Sequence, residues 1–199
     1  MNALIAVVAA YLIGGIPFGY LIVRLTTGRD VRTLGSGNIG ATNVLRTTGR
    51  TVAIITLLLD ILKGVAALWL ADRLTNHSSL WMSAAALAVM FGHAYPLFLK
   101  FQGGKAVASF IGAFLYLTPL PLLAVLLIFV VVVAATRYIS LGSILAAGLF
   151  PFAVWLILHP AAPVTIAALI AGAFIVYRHK ANLQRIRAGN EHVFNFGAK

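Results

Sequence analysis

Leu4-Ile5-Ala6-Val7-Val8-Ala9-Ala10-Tyr11-Leu12-Ile13-Gly14-Gly15-Ile16-Pro17-Phe18-Gly19-Tyr20-Leu21-Ile22-Val23 contains no charged side chain. Its length matches the roughly 20 residues a helix needs to cross a hydrocarbon core. This tract decides the fold, because the same pattern returns along the chain. Thr51 to Ala71 is apolar apart from Asp60 and Lys63, and Leu80 to Leu99, Leu141 to Leu158 and Val164 to Tyr177 follow suit. Between Ala106 and Ala135 the pattern is broken by Pro119 and Pro121. Proline inside a helix removes a hydrogen bond and clashes with the preceding turn, so two short helices are expected, Ala106–Leu117 and Pro121–Ala135. They are thin spans or a re-entrant hairpin. The expectation is an all-α integral membrane protein. It forms one transmembrane domain over residues 1–199, a seven-helix bundle with two short helices, or five spans if the pair is re-entrant.

Composition agrees. The chain has 61% hydrophobic and 10% charged residues with a mean hydropathy of +0.99, values that exclude a soluble domain of this length. The absence of cysteine removes disulfides, thiol nucleophiles and thiolate metal sites. No secretory cleavage pattern precedes the first apolar run, which is expected to stay attached.

The net charge of +11 is confined to the gaps between apolar runs, which argues against nucleic acid as a partner. Arg24, Arg29, Arg32, Arg46, Arg50, Lys100, Lys105, Arg137, Arg178, Lys180, Arg185, Arg187 and Lys199 fall on one side of the expected topology, and Arg73 on the other. The positive-inside rule then places the polar segments and the C-terminus in the cytoplasm and the N-terminus outside. The same cations suit an anionic substrate or anionic lipid headgroups.

The chemistry is concentrated in a few polar stretches on that side. Gly35-Ser36-Gly37-Asn38-Ile39-Gly40-Ala41-Thr42-Asn43 has the small residues and exposed amides of an anion-binding nest. It leads to a helix expected to begin near Ala41 or Thr42, on which Asn43, Arg46 and Arg50 would share a face. A flexible loop ending in an Asn38 or Thr42 cap is the plainer alternative. Gly103-Gly104-Lys105 is a second small loop ending in a cation, without the spacing of a nucleotide-binding loop. Asp60 and Lys63, one turn apart in a span, either pair with each other or face a polar cavity. His93 is expected to be a packed histidine, whereas His179 and Asn182, with Arg178 and Arg185, form a ligand-facing cluster, with Ser140 and Ser143 at the same level. No metal-binding or serine-hydrolase pattern is present, and neither metal nor cofactor is expected.

Together these stretches resemble the acyl-phosphate-dependent glycerol-3-phosphate acyltransferases of bacterial membranes. The resemblance rests on Gly35–Asn43, Gly92-His93-Ala94-Tyr95-Pro96, Phe101-Gln102-Gly103-Gly104-Lys105, Arg137-Tyr138-Ile139-Ser140 and Tyr177-Arg178-His179-Lys180-Ala181-Asn182. Gln102 stands where lysine is often found, and the extension past His192 looks incidental. The resemblance implies acyl transfer from a fatty acyl phosphate to glycerol 3-phosphate, giving lysophosphatidate and inorganic phosphate, in the bacterial inner membrane with a cytoplasmic site. It implies an upstream enzyme that forms the acyl phosphate as a partner, and membrane lipid as surroundings. Ser36, Gly37, Asn38, Gly40, Thr42 and Asn43 would cradle the acyl phosphate. Arg46, Lys105, Ser140, His179 and Asn182 would hold glycerol 3-phosphate, the last four also serving catalysis. Asp60, Lys63, Gly103 and Gly104 would support them. The base would be His179 or the acyl phosphate's own oxygen. A transporter for an organic phosphate, gated by Asp60 and Lys63, is the competing reading, although no inverted repeat is visible.

Overall fold

The computed structural model describes residues 1–194, all of whose regular elements are helices; Lys199, counted among the cytoplasmic charges, lies outside them. The chain divides after Leu117 into two compact units.

In the first unit the opening tract is two helices rather than one. α1 (Asn2–Gly14) and α2 (Phe18–Thr27) meet at Gly15-Ile16-Pro17. Pro17 has no amide to continue the ladder, and the Ile16 carbonyl at the break accepts from Lys63 Nζ at 2.8 Å as well as from the Phe18 amide at 3.2 Å. α3 (Ala41–Thr47) begins at the expected residue. It ends before Gly49, whose φ of 113° ends helical geometry, and α4 (Arg50–Thr75) starts anew. Arg50 therefore does not share a helical face with Asn43 and Arg46, contrary to the expectation from spacing. α4 also runs on past Ala71, the end of its apolar stretch, to Thr75. α5 (Ser79–Ala94) stops ahead of Pro96, and a 3-10 turn (Leu97–Leu99) leads to α6 (Val107–Leu117).

Packing inside this unit depends on small residues, as expected where lipid offers no hydrophobic gain for helix association. Ala6, Ala10, Ala67, Ala71, Ala85, Ala86 and Ala113 are buried, whereas Leu57, Leu58 and Leu62 of α4 face outward. α4 and α6 cross at Gly64 and Gly112, where a Cβ on either would overlap backbone of the other helix. α1 crosses α5 in the same way at Gly14 and Gly92.

The second unit holds α7 (Pro119–Thr136), α8 (Ile139–Leu158), α9 (Ala162–Arg178) and α10 (Lys180–Arg187). Pro119 does not end a helix but starts one. It occupies the first turn of α7, where a missing amide costs nothing, so α7 has 18 residues and is not short as expected. α6, at 11 residues, is. α9 and α10 join at His179 with a 53° bend.

Five stretches of the described residues are long and apolar enough to cross a membrane, and a sixth if α9 and α10 count as one bent span. The outward faces of α7 and α8 present Leu120, Leu123, Leu127, Val130, Phe152 and Leu156. The chain is an all-helical integral membrane protein.

Candidate functional site

The Gly35–Asn43 loop is organised from within by one side chain. Asn43 is buried; its Oδ1 accepts the Ser36 amide at 2.8 Å. Its Nδ2 donates to the carbonyls of Asn38 at 2.8 Å, Leu34 at 3.0 Å and Val31 at 3.2 Å. Asn38 Oδ1 in turn accepts the Gly40 amide at 2.8 Å. Gly37 turns the chain at φ 71°, where a side chain would be strained. Asn43 was expected to face the phosphate; both of its polar atoms are instead engaged in holding the loop. The Ser36, Gly37 and Gly40 amides are also used, the Gly37 amide donating to the Leu34 carbonyl at 2.9 Å. Among the described residues, no protein acceptor takes the amides of Asn38 and Ile39. Ser36 is exposed and Thr42 half-buried. The nest is thus narrower than the composition implied.

Nearby cations are not equivalent. Arg32 is spent on Asp30, with Nη2 at 2.6 Å from Oδ2, and lies over the Tyr20 ring at 5.1 Å. The Arg32 guanidinium holds the Asp30 carboxyl below its usual range despite partial desolvation. Arg46 projects from the last turn of α3 and is exposed.

The second loop is pinned to the end of α5. The Gly104 amide donates to the His93 carbonyl at 3.1 Å and the Gly103 amide to the Ala94 carbonyl at 3.2 Å. Lys105, half-buried, follows at once, and Ala106 takes a left-handed φ of 63° before α6 begins. That strained backbone explains why the helix starts one residue later than expected, at Val107. Asp60 and Lys63 pair at 2.7 Å with both side chains almost fully buried.

In the second unit the structure brings together Ser140, Asn182 and a residue the sequence did not single out, Glu191. Glu191 Oε1 accepts from Ser140 Oγ at 2.9 Å and from Asn182 Nδ2 at 2.7 Å, while Oε2 accepts from Arg185 Nε at 2.7 Å. Burial pushes the Glu191 carboxyl up, but the donors Asn182, Arg185 and Ser140 outweigh it and hold the group below the usual carboxylate range. The available signal was rarity, since the chain has only four acidic residues. His179 is buried, and its Nδ1 donates to the Ile175 carbonyl at 2.8 Å. This bond makes Nε2 the nitrogen without a proton in the neutral ring. Ser143 turns back onto the Ile139 carbonyl at 2.9 Å. The extension past His192 is not incidental at its start, because the Phe194 amide donates to the Arg137 carbonyl at 2.7 Å. No cluster of metal-ligating side chains is found among the described residues.

Long apolar helices packed through small residues make this an integral membrane protein, with polar loops that present amides and a lysine in the first unit and a Ser–Asn–Glu–Arg array in the second. The comparisons with known proteins make the class particular. The family model for glycerol-3-phosphate acyltransferase matches residues 4–189. The chain is 46% identical over 193 residues to the glycerol-3-phosphate acyltransferase of Geotalea daltonii, covering 97% of this chain and 98% of that protein. It is 45% identical to the one of Geobacter sulfurreducens, covering 98% of each. The crystal structure of PlsY (YgiH), an integral membrane glycerol 3-phosphate acyltransferase, in its glycerol 3-phosphate form superposes with a TM-score of 0.93 at 37% identity, covering 98% of this chain and 96% of that one. Its lysophosphatidic acid form gives 0.90 at 35% identity over the same shares. The chain belongs to the glycerol-3-phosphate acyltransferase family, and it is an acyltransferase of lipid synthesis.

Proposed function

We propose that this chain transfers a fatty acyl group from acyl phosphate to glycerol 3-phosphate, releasing lysophosphatidate and inorganic phosphate. It would do so in the bacterial inner membrane, with seven spans, the N-terminus outside and the polar loops in the cytoplasm. An upstream enzyme would supply the acyl phosphate. The reading rests above all on the likeness, at a TM-score of 0.93, to a relative described in its glycerol 3-phosphate form.

The chemistry suits the residues. An acyl phosphate is already activated, so positioning and charge stabilisation carry the reaction and no covalent nucleophile is required. The Gly35–Asn43 loop takes the donor phosphate through the Asn38 and Ile39 amides and the Ser36 and Thr42 hydroxyls. Gly37 and Gly40, without side chains, let the backbone come close, and Asn43 keeps the loop in shape. Lys105, with Arg46, takes the acceptor's phosphate, and Gly103 and Gly104 support it by pinning the loop to the end of α5. His179 Nε2 accepts the hydrogen bond of the attacking hydroxyl, and Ser140 and Asn182 orient the acceptor. The hydroxyl oxygen bonds to the acyl carbon, the carbon–oxygen bond to phosphate breaks, and the hydroxyl proton ends on the released phosphate.

Proteoliposomes given palmitoyl phosphate and labelled glycerol 3-phosphate test this against transport. Label should enter lipid, and none should cross the membrane when the donor is withheld. Donor-independent flux of glycerol 3-phosphate without lipid product would overturn the reading.

A further inference from the structure

Asp60, Lys63 and His93 are each no more than 4% exposed, in the interior of the first unit. Lys63 Nζ stands 2.7 Å from Asp60 Oδ1, and His93 Nδ1 stands 3.7 Å from that same oxygen, an electrostatic rather than a hydrogen-bonding separation. The ring's other edge faces the second loop. A Cβ placed on Gly104 would overlap His93 Nε2, and one on Gly103 would overlap the His93 carbonyl and press on the Pro96 ring. The backbone of His93 and Ala94 meanwhile accepts both glycine amides. Ring and loop therefore fit each other in one arrangement: neither can shift without displacing its partner. Lys63 adds a second anchor, since it also holds the Ile16 carbonyl at the break between α1 and α2.

A buried ion pair is a poor device for stability, because apolar residues of similar volume often serve as well or better. Its use here is geometric. We infer that Asp60, Lys63 and His93 form a positioning array that sets the path of Gly103-Gly104-Lys105, and with it the place of the Lys105 ammonium. None of the three need touch substrate. They act on the acceptor's phosphate through the loop, so their loss weakens glycerol 3-phosphate binding more than it slows the bound complex. The inference rests on the reading that this loop takes the acceptor's phosphate.

The experiment measures kcat, the KM for each substrate and the melting temperature of purified protein. The variants are Gly104→Ala, His93→Ala, His93→Gln, the combination His93→Ala with Gly104→Ala, and the combination Asp60→Asn with Lys63→Met. The expected result is a KM for glycerol 3-phosphate raised tenfold or more in Gly104→Ala and His93→Ala. The KM for palmitoyl phosphate should stay within twofold and kcat within about threefold. Removing the ring removes the overlap, so the combined His93 and Gly104 variant should be no worse than the poorer single one. The Asp60 and Lys63 combination should show the same KM shift, and His93→Gln a smaller one. Unchanged KM in the His93 variants, or penalties that multiply in the combined one, would overturn the inference. So would loss of a melting transition in every His93 and Asp60 variant, which would make the array purely structural. Wild-type protein that forms no lipid product would instead overturn the proposed function, and is a separate result.

Discussion

Asn182 donates its side-chain amide to Glu191 at 2.7 Å, across a turn that brings the chain after α10 back over the residues at its start. The same carboxylate holds Ser140 and Arg185, so one acidic side chain fixes the positions of two groups proposed to act on the acceptor.

Glu191→Gln should therefore lower activity at least tenfold while leaving other helices in place. The carboxyl is held below its usual range in the folded protein. A depressed folded pKa contributes stability that is present above the unfolded value, about 4.3 for glutamate. That contribution is lost as pH falls through the folded value. Melting temperature measured from pH 7 downward should fall below about pH 4.3 in the wild type, and this component should be absent from Glu191→Gln. Parallel curves for the two proteins would contradict the assignment.

Asn43→Ala removes four hydrogen bonds at once. At about 1 kcal/mol net for each bond, with an added cost for buried groups left unsatisfied, a loss of about 2–4 kcal/mol is expected. The KM for acyl phosphate should rise more than that for glycerol 3-phosphate, since the loop rather than Lys105 is disturbed. Steady-state kinetics with each substrate varied in turn checks this.

Lys105→Ala should abolish turnover and keep the wild-type melting temperature within a few degrees. The side chain is half-buried, and the loop's pinning bonds are made by backbone. Near-normal phosphate release would refute its role.

Gly112→Val should disturb the α4–α6 crossing, where a Cβ overlaps the Ile61 carbonyl. Overpacking of this kind costs about 1–3 kcal/mol. Thermal denaturation in detergent should register the loss, with little change in either KM for protein that remains folded.

Much of the architecture was legible because a span announces itself by length and apolarity. The helix start at Ala41 could be read from its glycine-rich lead, whereas the spacing of Asp60 and Lys63 in a span offers pairing as one of two readings, and the structure shows the pair. What escaped depended on tertiary partners or on the setting of a proline. Pro17 lies inside an unbroken apolar tract, and the break there is completed by Lys63, 47 residues away from Ile16. Pro119 reads as a breaker because spacing alone does not separate a helix interior from a first turn. Asn43 reads as a ligand-facing polar residue until its four loop partners are known. Glu191 meets Ser140 across 51 residues, a contact no local pattern encodes. Arg50 was misplaced because Gly49 ends α3 between it and Arg46.

The central claim is that the acyl group leaves phosphate for the acceptor hydroxyl. Its most direct test incubates the purified protein with palmitoyl phosphate, with and without glycerol 3-phosphate, and measures inorganic phosphate and lysophosphatidate together. Equimolar appearance of both, only when glycerol 3-phosphate is present, is the predicted result. Phosphate release that ignores glycerol 3-phosphate, or no release from folded protein, would contradict it.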